Sequence, residues 1–154
     1  MTTITKHLKA EGIMVAEPVC VVPSTTIREL ARVFEENEIS GAPVVDPQGH
    51  LVGIVSKTDL IRRCSEGTLD VPPAYLFEAM SEQSGEEYEH TPEPLICVQD
   101  FMTEEPVTVT AETPAGEIAR LMFEGRIHRI VVIDTQRFPI GIITSMDMLG
   151  AFPR

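Results

Sequence analysis

Two stretches carry the residues best suited to chemistry: Gly53-Ile54-Val55-Ser56-Lys57-Thr58-Asp59 and Gly141-Ile142-Ile143-Thr144-Ser145-Met146-Asp147. Each runs through an apolar segment to a hydroxyl, with a carboxylate three residues further on. That spacing allows two chemistries. In a capping box the hydroxyl caps a helix start and the acid reaches back to a free N–H. In a ligand site the same helix start offers unpaired amides and a positive dipole end to a phosphate. The carboxylate can then accept two hydrogen bonds from a ribose diol, while the hydroxyl reaches ribose or phosphate. The motif alone leaves both open. Lys57 reads either as a phosphate contact or as a solvated cation.

The elements that must position these residues are written twice. Met14 to Leu60 and Met102 to Met148 align without a gap, and about 17 of roughly 47 positions are identical. A tandem duplication of this kind predicts two similar halves around a pseudo-two-fold axis, with function in the cleft between them. Each copy opens on a β-like run, Val19–Val22 and Val107–Thr110. A helix follows, with Ile27, Leu30, Ala31 and Phe34 at i, i+3, i+4, i+7, repeated as Ala115, Ile118, Ala119 and Met122. Its predicted start is Thr26 with Glu29 in one copy and Thr113 ahead of Pro114 at the first helical position in the other. Asn37 and Gly125 are the expected left-handed C-caps.

Two apolar runs then flank Asp46-Pro47-Gln48-Gly49, which fits a type I turn and predicts a β-hairpin; Asp134-Thr135-Gln136-Arg137 is its counterpart. Helices start after Ser56 and Thr144, giving β-α-β-β-α twice. The expected division is a first repeat with its lead-in over 1–61, an insert over 62–94 and a second repeat over 95–154. In the insert, Pro72-Pro73 precedes a short helix ending at Met80, and Ser81 to Pro94 has the Glu, Ser, Gly and Pro content of a mobile acidic loop.

Composition narrows the function classes. The 154 residues suit one ordinary domain, and repeats this short are expected to share a core. At 43% hydrophobic and 5% aromatic, that core should be aliphatic. A net charge of −12 argues against general nucleic-acid binding, which needs clustered Lys and Arg, but not against a local phosphate site. Cys20, Cys64 and Cys97 lack metal-ligand spacing and read as reduced thiols; His7, His50 and His90 have no partner spacing and are expected on the surface. No metal site and no nucleophile–base pair stands out, so catalysis is not expected. No apolar run reaches the ~18 residues of a membrane span, so a soluble, cytoplasmic protein is expected.

The β-α-β-β-α unit, the Met-x-x-x-Pro lead (Met14 to Pro18, Met102 to Pro106) and the Gly-h-h-[Ser/Thr]-x-x-Asp segment (h, apolar) together resemble the CBS domain, found in tandem as a CBS pair or Bateman module. The resemblance implies an α+β fold of two repeats and a regulatory module binding an adenosine-containing ligand: AMP, ADP, ATP, S-adenosylmethionine or, in some members, NAD. No cofactor is required. One cleft would use Ser56, Thr58 and Asp59 with His128 and Arg129 from the other half, and Lys57 is a further candidate phosphate contact. The other would use Thr144 and Asp147 with Ser40, Gly41 and Ala42, and serves a phosphate poorly, because Met146 replaces Thr58 and Ser40-Gly41 replaces the basic pair. The resemblance also implies a homodimer paired through helices, with an unidentified regulated partner. The competing reading is a ligand-free dimerisation or partner-interaction module whose motifs are only caps.

Overall fold

The computed structural model describes residues 8–65 and 96–152. The predicted insert helix and acidic loop, with His7 and His90, lie outside them. The elements are α1 (Ala10–Ile13), β1 (Val15–Ala16), α2 (Ile27–Asn37), β2 (Gly41–Val45), β3 (Leu51–Ser56) and α3 (Lys57–Ser65), then a 3-10 turn at Val98–Asp100. After it come β4 (Thr103–Glu104), β5 (Thr108–Val109), α4 (Ala115–Gly125), β6 (Arg129–Ile133), β7 (Pro139–Thr144) and α5 (Ser145–Gly150). The fold is α+β, with the duplicated order expected.

The described chain forms two compact units, each built from non-contiguous segments. One, the second-repeat unit, holds residues 8–18, 46–52 and 105–152; the other, the first-repeat unit, holds 19–45, 53–65 and 96–104. The segment ahead of each repeat therefore joins the other repeat. In the second-repeat unit β1 lies antiparallel on β7, with Ala16 opposite Gly141, in a sheet of order β1-β7-β6-β5. In the first-repeat unit β4 lies antiparallel on β3, with Gly53 opposite Glu104 and Ile54 opposite Thr103. These crossings explain the motif's glycines. A Cβ on Gly53 would sit 2.7 Å from Met102 Sδ and 2.9 Å from the Thr103 carbonyl oxygen. One on Gly141 would lie 2.8 Å from Met14 Cγ.

The opening strands are shorter than expected. Val107–Thr110 contracts to β5, which pairs in parallel with β6, and Val19–Val22 to a single parallel bridge from Val21 to Val44. Pro18 and Pro23 bracket the first run and lack the N–H a longer ladder needs. Val21 and Val109 are nonetheless buried. In the second-repeat unit Val109 joins an aliphatic core in which Ile118, Ile130, Val132 and Ile143 are fully buried. Leu30, Phe34, Val44, Val55 and Leu60 are its buried counterparts in the first-repeat unit, Phe34 alone being aromatic.

Thr26 caps α2 as a full capping box: Glu29 N donates to its hydroxyl at 3.2 Å, and its own amide donates to Glu29 Oε1 at 3.1 Å. The other start differs from expectation. Pro114 is itself the N-cap, in extended backbone, and α4 begins at Ala115. Thr113 turns the other way, accepting from Thr110 N at 3.0 Å, as Thr25 accepts from Val22 N at 3.1 Å. The Ala115 amide is met instead by the Leu8 carbonyl at 2.8 Å. The left-handed C-caps also fall one residue later, on Glu38 (φ 53°) and Arg126 (φ 52°) rather than Asn37 and Gly125. The following Ile39 and Ile127 amides bond back to the Phe34 and Met122 carbonyls, so the closing bond of the cap holds a residue glycine would suit better.

Both hairpin turns form as predicted. Gly49 N donates to the Asp46 carbonyl at 2.9 Å, and Arg137 N to the Asp134 carbonyl at 3.1 Å. Asp46 Oδ1 also accepts from the Gln48 and His50 amides, and Asp134 Oδ1 from Gln136 and Phe138. His50 is not solitary: its ring stacks on Phe138 with centroids 4.9 Å apart, and Nδ1 lies 3.4 Å from Asp46 Oδ2.

Candidate functional site

In the first-repeat unit, β3 delivers the motif to the start of α3. Asp59 Oδ2 accepts from the Ser56 amide at 2.9 Å and the Ser56 hydroxyl at 3.0 Å, while Asp59 N donates to Ser56 Oγ at 3.1 Å. The adjacent Lys57 amide donates to the Ser40 carbonyl at 3.0 Å, which brings Ser40 and Gly41 beside Ser56 and Lys57. Thr58 is exposed, Lys57 and Asp59 are half-buried and Ser56 is buried. Ala42 is fully buried and has no surface to offer a ligand in this conformation.

The second-repeat unit repeats the design. Asp147 Oδ2 accepts from the Thr144 amide at 2.8 Å and its hydroxyl at 2.9 Å, and Asp147 N donates to Thr144 Oγ1 at 3.2 Å. Ser145 N donates to the His128 carbonyl at 2.8 Å, and Arg129 faces Thr144 across β6 and β7. His128 is exposed, Arg129 half-buried and Met146 exposed. The structure thus brings each motif together with the strand start of its own repeat.

Both motifs are capping boxes, yet capping does not use up the carboxylates. Each box ties Oδ2 and leaves Oδ1, with its own acceptor capacity, outside it. Around that second oxygen the copies differ. Asp59 Oδ1 has the Arg62 guanidinium 3.7 Å away, one helical turn on. The position equivalent to Arg62 is Gly150, and among the described residues Oδ1 of Asp147 makes no hydrogen bond. Sequence reading passed over Arg62, although its i, i+3 spacing from Asp59 on a helix was a usable signal. The first repeat therefore gathers its cations, Lys57 and Arg62, at the helix; the second gathers His128 and Arg129 at the strand.

Among the described residues, no group of three or more His, Cys, Asp or Glu side chains could hold a metal ion. Nor is any helix long and apolar enough to cross a membrane. Cys20 and Cys97 are thiols and not disulfide sulfurs, and burial pushes the Cys20 thiol up from its ordinary range.

Two tandem repeats with a Ser/Thr-x-x-Asp helix start define a class, and comparison with known sequences agrees. The CBS domain profile matches residues 10–66 and again 98–154, and the chain belongs to the CBS domain family as a CBS pair. It is similar to the uncharacterized protein MJ1426 of Methanocaldococcus jannaschii, 29% identical over 98% of this chain and 99% of that one. It is also similar to the inosine-5′-monophosphate dehydrogenase of that organism, 28% identical over 92% of this chain but only 23% of the enzyme. Among solved structures, CBSX2 in complex with AMP matches with a TM-score of 0.69 and 26% identity, over 93% of this chain and 94% of that one; CBSX2 is a protein of Arabidopsis thaliana.

Proposed function

We propose that this CBS pair is a regulatory module that binds an adenosine-containing ligand, with AMP the leading candidate and ADP, ATP or S-adenosylmethionine the alternatives. The observation that carries the reading is the likeness to CBSX2, which was crystallised with AMP. Local geometry supports it, because each Ser/Thr-x-x-Asp box keeps one carboxylate oxygen for a ribose diol. Asp59 and Asp147 grip ribose, helped by Ser56, Thr58 and Thr144. His128, Arg129 and Lys57 serve phosphate, and Ser40 and Gly41 complete the set that lacks it. The protein acts as a homodimer without catalysis of its own, in the cytoplasm, and relays ligand binding to a partner protein. Such a relay requires a ligand that prefers one of two conformations.

Calorimetry and thermal shift on the full chain with AMP, ADP, ATP, S-adenosylmethionine and NAD test the reading. Saturable binding of at least one adenosyl ligand is expected. Silence from all five at millimolar concentration would overturn it and leave the ligand-free interaction module, which the two complete capping boxes also permit.

A further inference from the structure

The Ser56–Asp59 box leaves one carboxylate oxygen open, and a guanidinium stands beside that oxygen. Arg62 Nη1 lies 3.7 Å from Asp59 Oδ1, one turn further along α3. This is an ion pair but longer than a hydrogen bond, so it does not use up the lone pairs of Oδ1. The Ser56 amide and hydroxyl both hold Oδ2, which leaves Oδ1 as the oxygen on the Arg62 side. The Asp59 side chain is only 17% exposed, whereas that of Arg62 is 62% exposed. Any hydroxyl pair bound to Oδ1 therefore sits within reach of a cation that never loses its proton.

An i, i+3 pair on a helix is often no more than solvated surface, as Arg120 illustrates. Its partners Glu117 and Glu124, 3.8 Å and 2.8 Å away, are themselves more than half exposed. Asp59 is the opposite case: little exposed, tied to the backbone through one oxygen and open through the other. The second repeat supplies the contrast. Asp147 sits in an equivalent box, but α5 carries Ser145, Met146 and Gly150 where α3 carries Lys57, Thr58 and Arg62. Two cations at one helix start correspond to none at the other.

We propose that Arg62 sets the ligand class of the Asp59 site. The site takes an adenosyl ligand that carries an anion on its ribose, a nucleoside phosphate, and discriminates against the cationic sulfonium of S-adenosylmethionine. The inference rests on the proposed function for the adenosyl ligand and adds the charge that ligand must carry. In the free chain the guanidinium balances Asp59. When a ribose diol takes Oδ1, the same guanidinium is free to turn to the phosphate, which its planar fork matches. Lys57 in the first turn of α3 offers a second cation. Neutral adenosine gains nothing from Arg62, and a sulfonium is repelled by it. An ion pair this exposed adds little to stability, so Arg62 can be replaced without loss of the fold.

Calorimetry on full-length Asp147→Ala, in which only the Asp59 site keeps its carboxylate, tests the inference with AMP, adenosine and S-adenosylmethionine. AMP should bind tighter than either of the others. Adding Arg62→Met should weaken AMP by about 10-fold, as loss of one charge-assisted hydrogen bond does, and leave S-adenosylmethionine no weaker. Adenosine should stay within about 2-fold, the worth of an exposed ion pair. Arg62→Lys, which keeps the charge, should retain the preference for AMP over adenosine. Arg62→Gln serves in place of Arg62→Met should the latter fail a circular dichroism check. Equal weakening of all three ligands would make Arg62 only a support for Asp59 and overturn the inference. Unchanged AMP binding in Arg62→Met, or a preference lost as fully in Arg62→Lys, would overturn it too. Each of these outcomes leaves the proposed function standing, whereas silence of the native chain toward every adenosyl ligand sinks both.

Discussion

The two repeats share a scaffold and differ in what they expose. Buried positions are near copies: Leu30 and Ile118, Phe34 and Met122, Val44 and Val132, Val55 and Ile143, Leu60 and Met148. Exposed and half-buried positions are not: Glu35 against Phe123, Thr58 against Met146, Arg62 against Gly150, Ser40-Gly41 against His128-Arg129. A core tolerates only changes that conserve volume and apolarity, whereas a solvated position imposes no such limit. Divergence after duplication was therefore free to specialise the surfaces. One repeat is left with cations at its helix start and the other with cations at its strand and an apolar helical face.

The sharpest way to break this comparison is to remove the two motif carboxylates in turn. Asp59→Ala should lower affinity for AMP by about 10–100-fold, the worth of one or two charge-assisted hydrogen bonds. Asp147→Ala should lower it less, as judged by calorimetry on both variants. The substitutions delete the same capping bonds, so each should cost a similar ~1 kcal/mol of stability. Equal losses of affinity would remove the functional asymmetry while leaving the structural one.

Next in size are the crossing glycines. Gly53→Ala drives a methyl against the Thr103 carbonyl, which is backbone and cannot swing away, and should cost about 1–3 kcal/mol in urea unfolding. The atoms nearest a methyl on Gly141 are those of the Met14 side chain, which can give way more readily than backbone, so the loss from Gly141→Ala should be the smaller of the two. The helix starts differ likewise. Thr26→Ala deletes a complete capping box and should cost ~1 kcal/mol, whereas Pro114→Ala removes no side-chain bond and should shift the melting temperature little.

The smallest effect is on pH. Desolvation pushes the Asp46 carboxyl up, but the His50 and Gln48 amides and the His50 ring together outweigh it and hold the group below the usual carboxylate range. Glu29 is held low by the Thr26 amide and then by its hydroxyl. A carboxylate depressed on folding contributes fully above its unfolded pKa, and that contribution fades as pH falls through the folded value. Melting temperatures recorded down an acid series should therefore drop less steeply for Asp46→Asn than for the native chain. Parallel curves would show that the turn adds nothing to acid sensitivity.

Much of this was legible before any coordinates. Helical spacing marked Ile27, Leu30, Ala31 and Phe34, and all four are buried. The Asp-led turns and the hydroxyl–acid helix starts follow from local hydrogen bonding, which a few neighbouring residues determine. The misplacements had both near and distant causes. The C-caps moved from Asn37 and Gly125 to Glu38 and Arg126 because the closing bonds from Ile39 and Ile127 set where each helix stops. The start of α4 moved because Leu8, over a hundred positions away, supplies the carbonyl that meets its first amide. His50 gained its partners the same way, from Asp46 in its own turn and from Phe138 in the next hairpin.

What the sequence determined by itself is the duplicated unit, its α+β order, and the residues at each helix start, because these depend on periodicity and on bonds spanning three or four residues. Tertiary structure alone decided that β1 and β4 lie on the repeat opposite their own, and that Gly53 and Gly141 are the points where those crossings pass. Each of these unites residues far apart in the chain, and no local preference encodes such a meeting until the backbone has folded back upon itself.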